Sequence, residues 1–509
     1  MITYFLKTYG CQANVADSHG VATFLDECGC QQVEQEVDAD LIIINTCAIR
    51  EKAEQKLFSY IGTLAPLRAE KPYQKLGVMG CVASYKKREL YGHFPHVDFV
   101  YGAREEMTML MAYLNDVVQS IATAKQLFMT EPERYTPQTE GRDKNIQKVV
   151  ERKRLLPRGT KSLPFIVRDA LRAPHCERGN VFLPSNLRTS VDSLAVRGEE
   201  LQGSASNHTA NTRVPKEVRR SFINIMTGCN KYCTYCIVPF TRGREISFPM
   251  HEILEKVARE IELGSKEITL IGQNVNSYID PVTSARFPEL MERVAQLSGA
   301  FWVRFISPHP QDMTRDLFEV MAKYRKKLVG YLHFPLQSGS NRILQAMNRT
   351  YTAEEYLEKV GWIHELLPDA TITTDIIVGF PGETEEDYQA TRRVMEDVKF
   401  DLIYSFIYSR RKYTKAFSME DNCSMQEKEA RLEALQKRHI EICQERNQRL
   451  VGKQIKALVE KRLTNDKLLA RTEGNVRVLF DGSDDVIGTF VTLEICEAKP
   501  VNVYGTLIL

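Results

Sequence analysis

Three cysteines within eight residues, in Gly228-Cys229-Asn230-Lys231-Tyr232-Cys233-Thr234-Tyr235-Cys236, constrain this chain more than any other feature. Gaps of three and two residues let three thiolates from one short loop point at a single centre. A structural zinc wants four protein ligands, and no Cys or His follows within the next dozen residues. A four-iron cluster can be held through three of its irons, which leaves the fourth open to a substrate. The loop therefore reads as an open iron–sulfur site; a distorted zinc knuckle with a distant fourth ligand is the alternative.

A length of 509 residues implies two to four domains with ample chain to bury their cores. The net charge of +2 excludes a globally basic nucleic-acid binder, so any such surface must be a local patch. The twelve cysteines lack the pattern of a secreted disulfide framework, which favours a reducing compartment. The opening Met1-Ile-Thr-Tyr-Phe-Leu reads as a strand and not as a signal peptide, and no apolar run has the length of a membrane span. A cytoplasmic protein without membrane contact is expected.

Residues 1–115 alternate short apolar runs with helical patterns, as a parallel α/β domain does. Strands are expected at 3–8, 41–45 and 76–79, and just beyond them stand Cys11, Cys47 and Cys81. The carboxyl ends of parallel strands share one edge, and ligands bind there. One such cysteine is most simply a small buried hydrophobe; three in the same structural position point to a second cluster. Cys28 and Cys30 flank Gly29 at a helix end and read as structural, as do Cys176, Cys423, Cys443 and Cys496.

From 116 to 220 the periodicity fades and turn formers and basic residues gather, so this stretch is expected to be a partly disordered linker or insert. From 221 to 423 a strand and a helix repeat six times, with strands expected at 222–226, 267–271, 302–306, 331–336, 371–378 and 402–408. Six units suggest a partial (β/α)6 barrel with its site at the carboxyl ends of the strands, and the three-cysteine loop follows the first strand. A helical connector, 424–450, leads to five short strands in 451–509, a small C-terminal β-barrel of oligonucleotide-binding style. Arg462, Lys467, Arg471 and Arg477 are its candidate phosphate contacts.

The cysteine loop, with Tyr235 ahead of its last cysteine, resembles that of the radical S-adenosylmethionine (SAM) superfamily. Thr8-Tyr-Gly-Cys-Gln-Ala-Asn14, Asn45-Thr-Cys-Ala-Ile-Arg-Glu-Lys-Ala53 and Gly80-Cys81 resemble the N-terminal domain of the methylthiotransferases. Ile237-Val-Pro-Phe-Thr-Arg-Gly-Arg-Glu245, Ile306-Ser-Pro-His-Pro310 and Leu336-Gln-Ser-Gly-Ser340 are similar to the branch that acts on tRNA, and Ile49-Arg-Glu-Lys-Ala53 to the subgroup that modifies isopentenyladenosine beside the anticodon. The C-terminal barrel resembles the TRAM module, which implies a grip on tRNA.

The resemblance implies two 4Fe-4S clusters. Cys229, Cys233 and Cys236 would hold the one that cleaves SAM to a radical, and Cys11, Cys47 and Cys81 the auxiliary one from which sulfur is drawn. Gln273, Asn274, Gln337 and Asp375 at the strand ends, with Tyr235 from the loop, are the candidates to line the SAM pocket. The implied partners are the tRNA anticodon stem-loop, an electron donor such as flavodoxin or ferredoxin, and a supplier of sulfur or clusters. A methylthiotransferase acting on threonylcarbamoyladenosine tRNA or on a ribosomal protein aspartate, and a non-enzymatic iron–sulfur RNA-binding protein, are the alternatives. The segment Tyr408-Ser-Arg-Arg-Lys-Tyr-Thr414 departs from the Pro-Gly-Thr-like pattern of bacterial relatives.

Overall fold

The computed structural model describes residues 1–48, 51–105, 107–130, 218–464 and 466–508. The stretch 151–154, the polar run 203–212 and the pair His175 and Cys176 lie outside the described residues, as do Ile49 and Arg50.

The N-terminal domain is a five-stranded parallel sheet. Its elements are β1 (Thr3–Tyr9), α1 (Gln12–Glu27), β2 (Gln31–Gln32), β3 (Leu41–Thr46), α2 (Glu51–Thr63), α3 (Leu67–Glu70), β4 (Lys75–Gly80), α4 (Cys81–His93), β5 (Phe99–Gly102) and α5 (Met107–Thr130). The order β2-β1-β3-β4-β5 makes β1, β3 and β4 neighbours. β3, Leu-Ile-Ile-Ile-Asn-Thr, is buried at every position, as a strand covered by helices on both faces must be. β2 and β5 were not foreseen. The expected linker boundary at 115/116 is also corrected, because α5 runs on to Thr130. Val117, Val118 and Ile121 continue the buried stripe of Leu110 and Leu114 against the sheet, so the helix keeps its packing partner past residue 115.

Six parallel strands follow: β6 (Arg220–Asn224), β9 (Glu267–Ile271), β10 (Trp302–Phe305), β11 (Tyr331–His333), β12 (Thr371–Val378) and β13 (Leu402–Ile407), with the short ribbon β7 (Met226–Thr227) and β8 (Ile246–Ser247) beside the first. They form two three-stranded halves, β6-β9-β10 and β11-β12-β13, joined by a bridge between Val303 and Leu328. The fourth expected strand is cut to three residues, because Pro335 interrupts it and Gln337 turns to φ +73. The helices α6 (Val238–Thr241), α7 (Met250–Glu262), α8 (Phe287–Gln296), α9 (Arg315–Lys323), α10 (Asn341–Ala346), α11 (Ala353–Leu366) and α12 (Glu385–Val398) connect and cover the strands. The halves share one apolar core, running from Ile223 through Phe305 and Leu332 to Ile403.

α13 (Met425–Gln448) starts at a capping box, with Ser424 and Glu427 each answering the other's backbone N–H. It runs back along β13 to the C-terminal barrel, β14 (Gln454–Arg462), β15 (Leu468–Thr472), β16 (Arg477–Phe480), β17 (Phe490–Ala498) and β18 (Asn502–Ile508), closed in the order β14-β15-β16-β18-β17. This barrel docks under the amino ends of the six-stranded sheet. Arg220, the first residue of β6, pairs with Glu460 at 3.0 Å, and Glu267, the first of β9, meets Arg471 at 3.1 Å. The Trp302 ring at the head of β10 lies 4.8 Å from that of Phe490.

No described helix is long and apolar enough to cross a membrane.

Candidate active site

The carboxyl edge of the N-terminal sheet gathers three cysteines. Cys11 is the N-cap of α1, Cys47 follows β3 directly, and Cys81 opens α4 straight after β4. The Cys11 thiol donates to Asn14 Oδ1 at 3.4 Å, and Cys47 stands close enough to act on it. Beneath them the loops are braced by a reciprocal pair. Asn14 Nδ2 donates to Asn45 Oδ1 at 2.9 Å, and Asn45 Nδ2 donates to the Asn14 carbonyl at 2.8 Å. Gly80 (φ +98) is required here, since a Cβ would stand 2.3 Å from Asn45 Oδ1 and 2.5 Å from the Thr46 carbonyl.

The second triad sits in the loop after the first barrel strand. Gly228 (φ +80) lets the chain pass against the Arg244 carbonyl, where a Cβ would be 2.0 Å away. Its N–H donates to Gln273 Oε1 at 2.6 Å, and the Cys229 N–H donates to the Gly243 carbonyl at 3.1 Å. Across the barrel, Thr234 N–H and Oγ1 donate to the carbonyls of Met347 and Ala346 at 3.0 and 2.9 Å. The loop is thus fixed from both barrel halves before any ligand arrives.

The two triads face one junction. The short helix α6, which starts two residues after Cys236, docks on the N-terminal domain: Ile237 enters that domain's core, and Ser84 Oγ donates to the Thr241 carbonyl at 2.9 Å. Arg104 also donates to the Pro239 carbonyl. Arg242, with 8% of its surface exposed, forms a 2.8 Å ion pair with Asp17 and sets its charge close enough to Cys81 to act on that thiol. This arginine is thus a buried link between the domains.

The electrostatics differ between triads. Interaction with Cys47 draws the Cys11 thiol below the ordinary thiol range against the opposing effect of burial, and the Arg242 charge adds to the lowering. Burial raises Cys81, with Arg242 opposing. Burial likewise pushes Cys229 up to about 11 and raises Cys236. As bare thiols these last two keep their protons, and binding positive irons would release them. Among the described residues no three His, Cys, Asp or Glu side chains are grouped to hold a single metal ion. A cluster differs in taking one thiolate per iron.

The candidate SAM-pocket residues divide. Asn274 is 1% exposed; its Nδ2 donates to Asp312 at 2.9 Å and Glu245 at 3.3 Å, while its Oδ1 has no hydrogen-bond partner. A buried acceptor left unmet fits a ligand that brings a donor. Gln273 instead braces Gly228. Gln337 uses its backbone to bridge to β12, accepting from the Ile377 N–H and donating to the Asp375 carbonyl. Asp375 has His333 Nε2 at 3.3 Å. Tyr235 stands edge-on to Phe380, 6.5 Å between centroids, in a small apolar cluster behind the loop.

His309 is 5% exposed, and its Nδ1 accepts the Gln311 N–H at 3.3 Å, which leaves the proton on an Nε2 without a partner. Burial and the charges of Arg349, Lys231 and Lys359 hold it down to about 2, so the ring stays neutral. Gly379 and Gly382 form a turn stitched by Glu383, which accepts the Gly379 N–H at 2.7 Å and pairs with Arg431 at 2.9 Å. The backbone of that turn is what requires the two glycines.

Sequence reasoning missed Arg349. It is 8% exposed and donates to Cys233 Sγ at 3.4 Å, Tyr351 Oη at 2.9 Å and the Pro335 carbonyl at 3.0 Å. Nothing in Met347-Asn-Arg-Thr-Tyr351 distinguishes it from a solvated arginine. Arg471, expected to contact phosphate, is spent on Glu460 and Glu267 inside the docking interface. Arg462 and Lys467 pair with Asp484 and Asp481, and Arg477 is exposed.

A six-stranded open barrel with a cysteine triad in its first loop defines a class, and family models agree with it. The Radical SAM superfamily matches residues 223–395, the Uncharacterized protein family UPF0004 residues 3–102 and the TRAM domain residues 448–508. The tRNA-2-methylthio-N(6)-dimethylallyladenosine synthase of Carboxydothermus hydrogenoformans is 35% identical over 99% of this chain and 99% of its own. That of Thermodesulfovibrio yellowstonii is 34% identical over 99% and 98%. The chain belongs to this family of synthases. Among solved structures, the radical SAM methyltransferase TsrM of Kitasatospora setae covers 82% of this chain and 75% of its own at TM-score 0.50 and 13% identity, a likeness of fold.

Proposed function

We propose that this chain attaches a methylthio group to C2 of N6-isopentenyladenosine beside the anticodon of tRNA, at the junction between its two cysteine triads. Relatives that carry the name of this reaction match it along their whole length, which supports the reading. The observation that carries it furthest is the convergence of two separate triads, one on each side of Arg242 and α6, where a single-cluster radical enzyme needs only one. When bound, the cluster on Cys229, Cys233 and Cys236 supplies the electron that cleaves SAM to a 5′-deoxyadenosyl radical, and the one on Cys11, Cys47 and Cys81 supplies the sulfur.

The protein's own part is positioning. Gln273, Gly243, Ala346 and Met347 hold the first loop, and Asn14 and Asn45 hold the second set. Asn274 Oδ1 offers an acceptor to the amino group of SAM. Arg349 places a buried cation on Cys233, where three thiolates bring negative charge. A flavodoxin or ferredoxin would deliver the electrons and a sulfur-supply protein would refill the auxiliary site, all in the cytoplasm where tRNA is modified.

The test is mass spectrometry of nucleosides from isopentenylated tRNA after anaerobic incubation with reconstituted protein, SAM and reductant. A 2-methylthio product on isopentenyladenosine is expected. SAM cleavage with that base unchanged would shift the substrate to threonylcarbamoyladenosine tRNA or a ribosomal protein.

A further inference from the structure

We propose that residues 409–417, between β13 and α13, form the contact that seats the RNA loop over the two cysteine triads. The inference rests on the tRNA reading above. The segment Ser409-Arg-Arg-Lys-Tyr-Thr-Lys-Ala-Phe417 carries four cations and two aromatic residues, and no acid. Tyr413 and Phe417 are 57% and 41% exposed. One exposed ring needs no explanation, but rings alternating with cations on a single loop match unstacked bases on a phosphate backbone. A protein partner would have to offer acidic residues to this loop, whereas RNA brings both the charge and the faces to stack.

The loop is fixed where such a contact is needed. The Ala416 N–H donates to the Thr234 carbonyl at 2.8 Å, inside the Cys229–Cys236 loop, and Thr414 and Ala416 are buried beneath it. On its other side the Tyr413 ring meets that of Tyr85 edge-on at 6.3 Å, and Tyr85 lies one turn along α4 from Cys81. The segment therefore bridges the rims of both triads. Tyr413 sits at φ +72, a conformation bulky residues avoid, so the turn that exposes its ring is imposed by these anchors. Arg410 braces the loop from within, lying 5.4 Å from the Phe417 ring centre and donating to the Phe417 carbonyl at 2.6 Å. Lys412 and Lys415 are left exposed.

The C-terminal barrel cannot fill this role. It docks on Arg220, Glu267 and Trp302, the first residues of their strands, at the end of the sheet opposite the cysteines. Whatever that barrel grips, the RNA loop at the reacting base needs a separate hold.

The experiment uses the full chain with both clusters reconstituted and labelled isopentenylated tRNA, with anisotropy read across a series of salt concentrations. Y413A is expected to weaken binding about ten-fold and Y413F to stay within about two-fold, because stacking needs the ring and not its hydroxyl. K412Q/K415Q is expected to lower the slope of log affinity against log salt by about 1.4. Wild-type affinity and slope in both Y413A and the lysine pair would overturn the assignment even if the unaltered protein methylthiolates tRNA. Unaltered protein that binds no tRNA would overturn the functional reading along with it. A second measurement needs no variant: ultraviolet crosslinking to the anticodon stem-loop should label the peptide containing Tyr413 and Phe417, and crosslinks confined to 451–508 would rule the loop out.

Discussion

The Arg349 guanidinium donates to the Cys233 sulfur at 3.4 Å, and none of its partners among the described residues is a carboxylate. Arg242, the cation beside Cys81, is by contrast neutralised by Asp17 at 2.8 Å. The two triads thus feel different fields. One faces an uncompensated buried charge and the other an ion pair.

Removing that charge should make reduction of the neighbouring cluster harder, since the reduced state carries one more negative charge. Arg349→Gln is expected to shift the midpoint of the Cys229-loop cluster to more negative potential in an EPR-monitored redox titration and to slow reductive cleavage of SAM. An unchanged midpoint in protein of normal iron content would refute this.

Breaking the Arg242–Asp17 pair leaves a buried charge alone. Asp17→Leu should destabilise the folded chain by about 3–5 kcal/mol, and the double variant with Arg242→Met should recover much of the loss. Anaerobic thermal unfolding of the four proteins in the cycle checks both statements.

The triads should separate genetically. Cys11→Ala is expected to leave 5′-deoxyadenosine formation detectable and abolish the methylthio product, while Cys229→Ala abolishes both. Liquid chromatography of nucleosides and of SAM products in the same reaction reads the two outcomes. Equal loss in both variants would contradict the division of labour.

Acid should loosen the C-terminal docking. Burial opposes the charge on Glu267, yet Arg471, Arg304 and Arg220 outweigh it and hold the carboxyl at about 2. A depressed carboxylate stabilises the fold above its unfolded pKa and loses that contribution as pH falls through the folded value. The gap in unfolding midpoint between wild type and Glu267→Gln, corresponding to about 3 kcal/mol near neutrality, should narrow steadily below about pH 4.5. A gap that stays constant would show that the carboxylate is not the group responsible.

Much of this architecture was legible because it rests on local pattern. β9 and β12 fall on their expected residues, since each is an apolar run closed by turn formers. Cys11, Cys47 and Cys81 could be placed because a parallel sheet fixes where its strand ends lie, and Cys229, Cys233 and Cys236 because their spacing keeps them on one loop. Burial of arginine was not legible. Arg242, Arg349 and Arg471 look alike in sequence, and only the packing of distant elements decides which of them meets water. The partners of Asp375 and Gln273 were not legible for the same reason, because His333 and Gly228 lie 42 and 45 residues away. The boundary at residue 115 failed on a weaker cue, a fading periodicity that the sheet face still satisfied as far as Thr130.

α13, with 24 residues, is about 36 Å long at 1.5 Å per residue, and it is the strut that carries the chain from the cysteine end of the sheet to the barrel docked at the other. That makes the protein a caliper. Its jaws are the loop over the triads and the C-terminal barrel, set apart by that helix and by the contacts of Glu460, Arg471 and Phe490 with the sheet, and an RNA that touches both must be long enough to span the gap.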